Sequence, residues 1–165
     1  MKLSILAGKI RKCRKCELWK TRKNAVPGVG PKSAKIMLIG LAPGEKENVS
    51  GKPFVGKSGK FLDNLLKKYK IDRKKVFITS VLKCYLQDNI PKKRYIVSCK
   101  PYLVDQIKAI NPEVVVLLGD VARNVLNRNP ILKERKVIAT FHPSAGMRFP
   151  KIKKKIEKDF SKILN

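Results

Sequence analysis

Ile36-Met37-Leu38-Ile39 runs straight into Gly40-Leu41-Ala42-Pro43-Gly44-Glu45-Lys46-Glu47-Asn48, and that junction decides the fold. Four consecutive apolar residues read as a buried strand. From Gly40 onward the chain reads as a long glycine-rich loop, continuing through Gly51-Lys52-Pro53-Phe54-Val55-Gly56-Lys57-Ser58-Gly59. The spacing of Phe61, Leu62, Leu65 and Leu66 then predicts a helix from about Ser58, a good N-cap, to about Tyr69. Open α/β sheets place their ligand sites at such strand ends. Phe54 and Val55, apolar within a polar loop, point to the wall of a shaped pocket.

The same pattern repeats on both sides. Val76–Leu82, Val114–Leu118 and Val137–Thr140 read as further strands. Helices are expected over residues 3–12 (Leu3, Ile5, Leu6 and Ile10 inward), 95–110, 120–126 and 151–164 (Ile152, Ile156, Phe160 and Ile163 inward). Residues 17–34 and 85–94 read as irregular connections, from their Pro, Gly and polar content. Short apolar strands alternating with helices imply an α/β fold with a parallel sheet covered on both faces. The central loop, the Ser80–Cys84 segment and His142 would then meet at one sheet edge. His142 is the sole histidine, and it stands before Pro143-Ser144 at a strand end, which favours a functional role.

At 165 residues, 43% hydrophobic, the chain is expected to form one domain with a real core. No apolar run is long enough for a transmembrane helix, and no signal-peptide pattern opens the sequence, so an intracellular, cytoplasmic protein is expected. Lys plus Arg total 39 against 12 Asp plus Glu, a formal charge of +27. Such an excess costs self-repulsion and points to a polyanionic partner, nucleic acid before a membrane surface.

Four cysteines, Cys13, Cys16, Cys84 and Cys99, form one close pair and two distant members. Inside a cell this suggests a metal site rather than disulfides. The spacing alone fits zinc or an iron–sulfur cluster about equally well.

In combination, these motifs resemble family 4 uracil-DNA glycosylases, the iron–sulfur branch of that superfamily. The resemblance covers nearly the whole chain. It rests on Cys13-x2-Cys16, Val26-Pro27-Gly28-x-Gly30, Gly40-x-Ala42-Pro43-Gly44-x2-Glu47, Gly51-Lys52-Pro53-Phe54-Val55-Gly56-x2-Gly59, Lys83-Cys84, Pro101-x-Leu103-x2-Gln106-Ile107, Leu118-Gly119-x2-Ala122 and His142-Pro143-Ser144-Ala145. It implies a three-layer α/β/α sandwich around a four-stranded parallel sheet, with a [4Fe–4S] cluster on Cys13, Cys16, Cys84 and Cys99. It implies a monomeric DNA-repair enzyme that flips uracil, or another deaminated base, from single- or double-stranded DNA and hydrolyses its glycosidic bond. Phe54 matches the aromatic that stacks on the base, and His142 the group that steadies charge on the departing uracil. Glu47 matches an acidic residue placed to hold water or stabilise the sugar cation. Gly40, Leu41, Ala42 and Gly44 form the wall, and Ser80 faces the base edge. Ser144 to Arg148 matches the loop that presses into DNA, with Met147 as a wedge.

Two positions depart from that pattern. Leu41 stands where the family carries an acidic residue, and Ser80 where it carries asparagine. The tract after Cys84 lacks Arg-Pro-Pro, and Gly40-Leu41-Ala42-Pro43 resembles the related family 5, which accepts a broader range of damaged bases. The competing expectation is therefore a damaged-base or DNA-binding module of the same fold with weak or lost hydrolysis. A nucleotide-binding enzyme is disfavoured, because neither G-x-x-x-x-G-K-[ST] nor G-x-G-x-x-G occurs.

Overall fold

The computed structural model describes residues 2–164. Four parallel strands, β1 (Ile36–Gly40), β2 (Val76–Ser80), β3 (Val114–Leu118) and β4 (Lys136–Thr140), form one sheet in the order β2-β1-β3-β4. Seven helices are found among the described residues: α1 (Leu3–Arg11), α2 (Glu45–Ser50), α3 (Lys57–Lys68), α4 (Lys93–Ile110), α5 (Asp120–Leu126), α6 (Pro143–Arg148) and α7 (Pro150–Phe160). None is long and apolar enough to cross a membrane.

The period of two in each strand builds three layers. Met37, Ile39, Phe77, Val115 and Leu117 face a core completed by Leu6 and Ile10 of α1, Leu103 and Ile107 of α4, and Leu126 of α5. Their sequence neighbours Leu38, Ile78, Val116, Leu118 and Ile138 face the other core, closed by Leu62, Leu65 and Leu66 of α3 and Ile156 and Phe160 of α7. The expected α/β/α sandwich with four parallel strands is therefore the observed fold.

Several local expectations change. The central loop contains a helix, α2, flanked by Gly44 and by Gly51 at φ 71°. Helix α3 starts from Gly56 rather than Ser58. Strand β2 stops at Ser80, because Val81 and Leu82 leave the ladder and donate to the carbonyls of Gly40 and Leu41. The expected loop at Ser144–Arg148 is the helix α6. Ile5, expected inward, is exposed, since α1 buries only the Leu6–Ile10 stripe. Double-sided cover also fails at β4, an edge strand whose Val137 and Ala139 are exposed where the α4–α5 layer stops short. The opposite edge is capped by Val29, which exchanges two backbone hydrogen bonds with Ile78 (2.9 and 2.8 Å).

Candidate active site

The four strand ends open into one cleft of about 380 Å³. Beyond β1 come Leu41, Ala42, Pro43 and Gly44, with Glu47 one turn into α2. Strand β2 contributes Ser80; β3 contributes Leu118, Gly119 and Asp120; β4 leads to His142 and Ser144. Phe54 closes the side between α2 and α3. Gly40 lies behind the wall: a Cβ there would stand 3.0 Å from the Phe54 ring. Met147 and Arg148 do not line the cleft; they sit farther along α6, where Met147 is exposed.

His142 caps α6 with its own ring. The backbone N–H of Ser144 donates to Nδ1 (3.2 Å), and the Ser144 hydroxyl lies 2.8 Å from the same atom. A backbone N–H can only donate, so Nδ1 is an acceptor and the neutral ring carries its proton on Nε2. Nε2 has no protein partner among the described residues. Burial pushes the imidazole below its usual pKa, an effect only partly offset by the Glu47 carboxylate. The site thus holds a neutral imidazole with one free N–H donor. Gly119, at φ 93°, lets this ring close in, since a Cβ there would lie 3.3 Å from His142 Cβ.

Glu47 is buried, and its Oε1 accepts from the N–H groups of Val55 (2.8 Å) and Gly56 (2.9 Å). The carboxylate thereby staples the Phe54 loop onto α2, while Oε2 stays on the Gly44 side of the cleft. Phe54 itself sits at φ 51°, a left-handed conformation that costs a non-glycine residue about 1–2 kcal/mol. Three contacts hold it there. Glu47 grips the two residues after it, Arg73 Nη2 donates to the carbonyls of Pro53 and Phe54 (both 3.2 Å), and Gly59 packs against its carbonyl. The ring lies 5.8 Å from that of His142, with 28° between their planes.

A family model described as the uracil DNA glycosylase superfamily matches residues 27–165. The chain belongs to that superfamily. It is 40% identical to the Type-4 uracil-DNA glycosylase of Saccharolobus solfataricus over 98% of this chain and 84% of that protein. It is 38% identical to the Type-4 uracil-DNA glycosylase of Archaeoglobus fulgidus, over 98% and 91%. A Type-5 uracil-DNA glycosylase of Pyrobaculum aerophilum is 30% identical over 68% of this chain and 57% of that protein.

In this uracil-DNA glycosylase superfamily chain, a second constellation lies beside β2. Cys13, Cys16, Cys84 and Cys99 line a single small void, enclosed by Trp19, Arg22, Lys83 and Tyr102. Arg22 Nη1 donates to Cys84 Sγ at 3.1 Å. Burial raises the Cys84 thiol and pushes Cys99 up to about 11, each partly offset by a neighbouring cation, Arg22 and Lys83 respectively. Lys83 is itself buried and lowered to about 7, chiefly by desolvation. Its ammonium donates to Thr79 Oγ1 (2.7 Å), the Ser80 carbonyl (2.5 Å) and Gln106 Oε1 (2.7 Å). Among the described residues no three His, Cys, Asp or Glu side chains stand where one ion could be held.

Asn89 and Asp120 are among the cleft residues that sequence reasoning misses, and Ser144 has a second role. Asn89, exposed on the 85–92 loop at φ 54°, lines the cleft. Asp120 adds an exposed carboxylate at the rim, paired with Arg123 at 2.9 Å. Ser144, expected as a DNA contact, also sets the His142 tautomer. For Asn89 the only sequence signal is an Asn in a polar loop, which is ordinary turn chemistry.

Proposed function

We propose that this chain is a DNA-repair hydrolase that removes uracil from DNA by cleaving the N-glycosidic bond of a flipped nucleotide. The observation that carries this is the neutral His142 ring, its Nδ1 occupied by Ser144 and its Nε2–H free at a cleft wall. A fixed donor of this kind stabilises negative charge growing on an oxygen of the departing uracil, without first losing a proton itself. Phe54 offers the stacking face that replaces lost base stacking. Oε2 of Glu47 is the carboxylate oxygen left to hold the attacking water or face the developing sugar cation. Leu41 and Ser80 both line the cleft, so neither substitution is remote from the base. Asn89, at the cleft lining, is the residue there whose amide could supply the paired donor and acceptor groups that Ser80 lacks.

The four cysteines fit a [4Fe–4S] cluster. Four thiols on one void with two adjacent cations suit thiolate ligation, with one thiolate for each iron of a cluster. Bound there, it would cross-link the end of α1, the end of β2 and α4. Ser144, Met147 and Arg148 on α6 would face DNA. The cleft is complete within one chain, which supports a monomer, and a DNA substrate supports an intracellular location.

Alkaline cleavage of oligonucleotides carrying uracil tests the reading. The natural protein should generate strand breaks at uracil, and His142→Ala should slow excision by roughly a hundredfold or more, the scale of losing one oxyanion donor. Tight binding with the base left intact would instead favour the DNA-binding module suggested by Leu41 and Ser80. Equal excision by both proteins would remove His142 from the chemistry.

A further inference from the structure

Beside the base cleft runs an open groove of about 900 Å³ that excision chemistry does not use. Arg11, Lys12, Arg14, Lys23 and Lys52 line it, all exposed and none in an ion pair among the described residues. No Asp or Glu lines it. Glu17, close in sequence, is drawn away to Arg94 at 2.7 Å. Trp19, the single tryptophan, is half-buried in the wall with the Arg14 guanidinium 4.7 Å from its ring centroid.

The groove is firmly built. Arg22 Nη2 donates to the carbonyls of Arg11 (2.9 Å) and Cys13 (2.8 Å), fixing the α1 wall. Asn48 Oδ1 accepts from Lys23 N (2.8 Å), and Asn24 Nδ2 donates to the carbonyls of Asn48 (3.0 Å) and Val49 (2.9 Å), fixing the α2 wall. Two segments are shared between groove and cleft: Val26 lines the cleft and Ala25 the groove, and on α2 Glu47 lines the cleft and Ser50 the groove. The groove flanks the β2 edge, where Val29 is exposed, whereas α6 follows β4 at the other edge.

We propose that this groove holds the single strand flanking the target nucleotide, with its phosphates on the free cations and a base stacked at the Arg14–Trp19 pair. Cations without competing carboxylates, together with an aromatic platform, are what a strand binder needs irrespective of base sequence. The inference rests on DNA being the substrate, but it concerns binding and can be measured without uracil.

The test is anisotropy of a labelled, uracil-free oligothymidylate of about twenty nucleotides, titrated across salt concentrations. The triple variant Lys12→Ala/Arg14→Ala/Lys52→Ala should bind at least tenfold more weakly at low salt. Its log–log salt slope should fall by about 2, roughly 0.7 for each lost phosphate contact on single strands. Trp19→Ala should lose roughly tenfold and Trp19→Phe much less, since phenylalanine keeps a stacking face. On uracil substrates the triple variant should raise KM for strands of about twenty nucleotides but not about five, with the saturated single-turnover rate unchanged. Equal affinity and equal slope for natural and triple-variant proteins would overturn the proposal. Normal groove binding without any uracil excision would instead remove the enzymatic reading and leave the groove standing.

Discussion

The role proposed for His142 depends on its tautomer. The Ser144 N–H fixes Nδ1 as an acceptor, and burial holds the ring's pKa below the ordinary imidazole value, which favours the neutral form. Protonation would displace the Ser144 contact. The single-turnover rate should therefore stay flat as pH falls through the ordinary imidazole range near 6.5 and drop only below it. The linked stability has the same sign: a depressed folded-state pKa contributes stability above the unfolded value and loses it as pH falls through the folded one. A rate that already declines above 6.5 would contradict this assignment. Leu41 and Ser80 make the second prediction at this scale. On the proposed reading each withholds a polar contact from the base, worth roughly 1–3 kcal/mol or about one to two decades in rate. Leu41→Glu with Ser80→Asn should speed uracil excision in single-turnover assays. No gain, with the natural protein already fast and strict for uracil, would mean Glu47 and Asn89 suffice.

At the scale of elements, the cleft depends on how α2, the Phe54 loop and α3 lock together. The glycines and prolines here suggest a loop; what matters is a short helix presenting Glu47 so that one oxygen holds two backbone donors. Gly59, on the first turn of α3, is the other half of the lock. A Cβ there would stand 1.9 Å from the Phe54 carbonyl oxygen, which is backbone and cannot swing aside. Gly59→Ala should either cost several kcal/mol of stability, beyond the usual 1–3 kcal/mol of overpacking, or drive Phe54 out of the cleft. Denaturant titration together with excision kinetics distinguishes these; unchanged values in both would refute the lock.

Across the whole molecule, the cysteine site joins segments far apart in sequence: the end of α1, the end of β2 and the middle of α4. It also anchors Arg22, which frames the basic groove. Protein purified anaerobically should be brown and contain iron and sulfide. Cys84→Ala should lose that colour, lower the melting temperature and weaken binding to single-stranded DNA, because the groove wall loosens. A colourless, zinc-containing natural protein would count decisively against the cluster.

The layer order was legible in the sequence because hydrophobic burial is written locally. Runs such as Val114–Leu118 cannot be stable except between two covered faces, and the glycines after β1 mark where the chain must turn. The same local signals mark Phe54, His142 and the four cysteines as candidates, and the family resemblance adds Glu47 and Ser80. The tertiary structure alone decided what each does with its neighbours. Which nitrogen of His142 carries the proton depends on a backbone N–H of α6, and the left-handed Phe54 is held by Arg73 from a distant turn. Asn89 lines the cleft, and exposed cations share one groove with Trp19, only because separate segments meet at one sheet edge. Periodicity records which face a residue turns inward; contacts between residues tens of positions apart depend on the closed chain, and no local pattern encodes them.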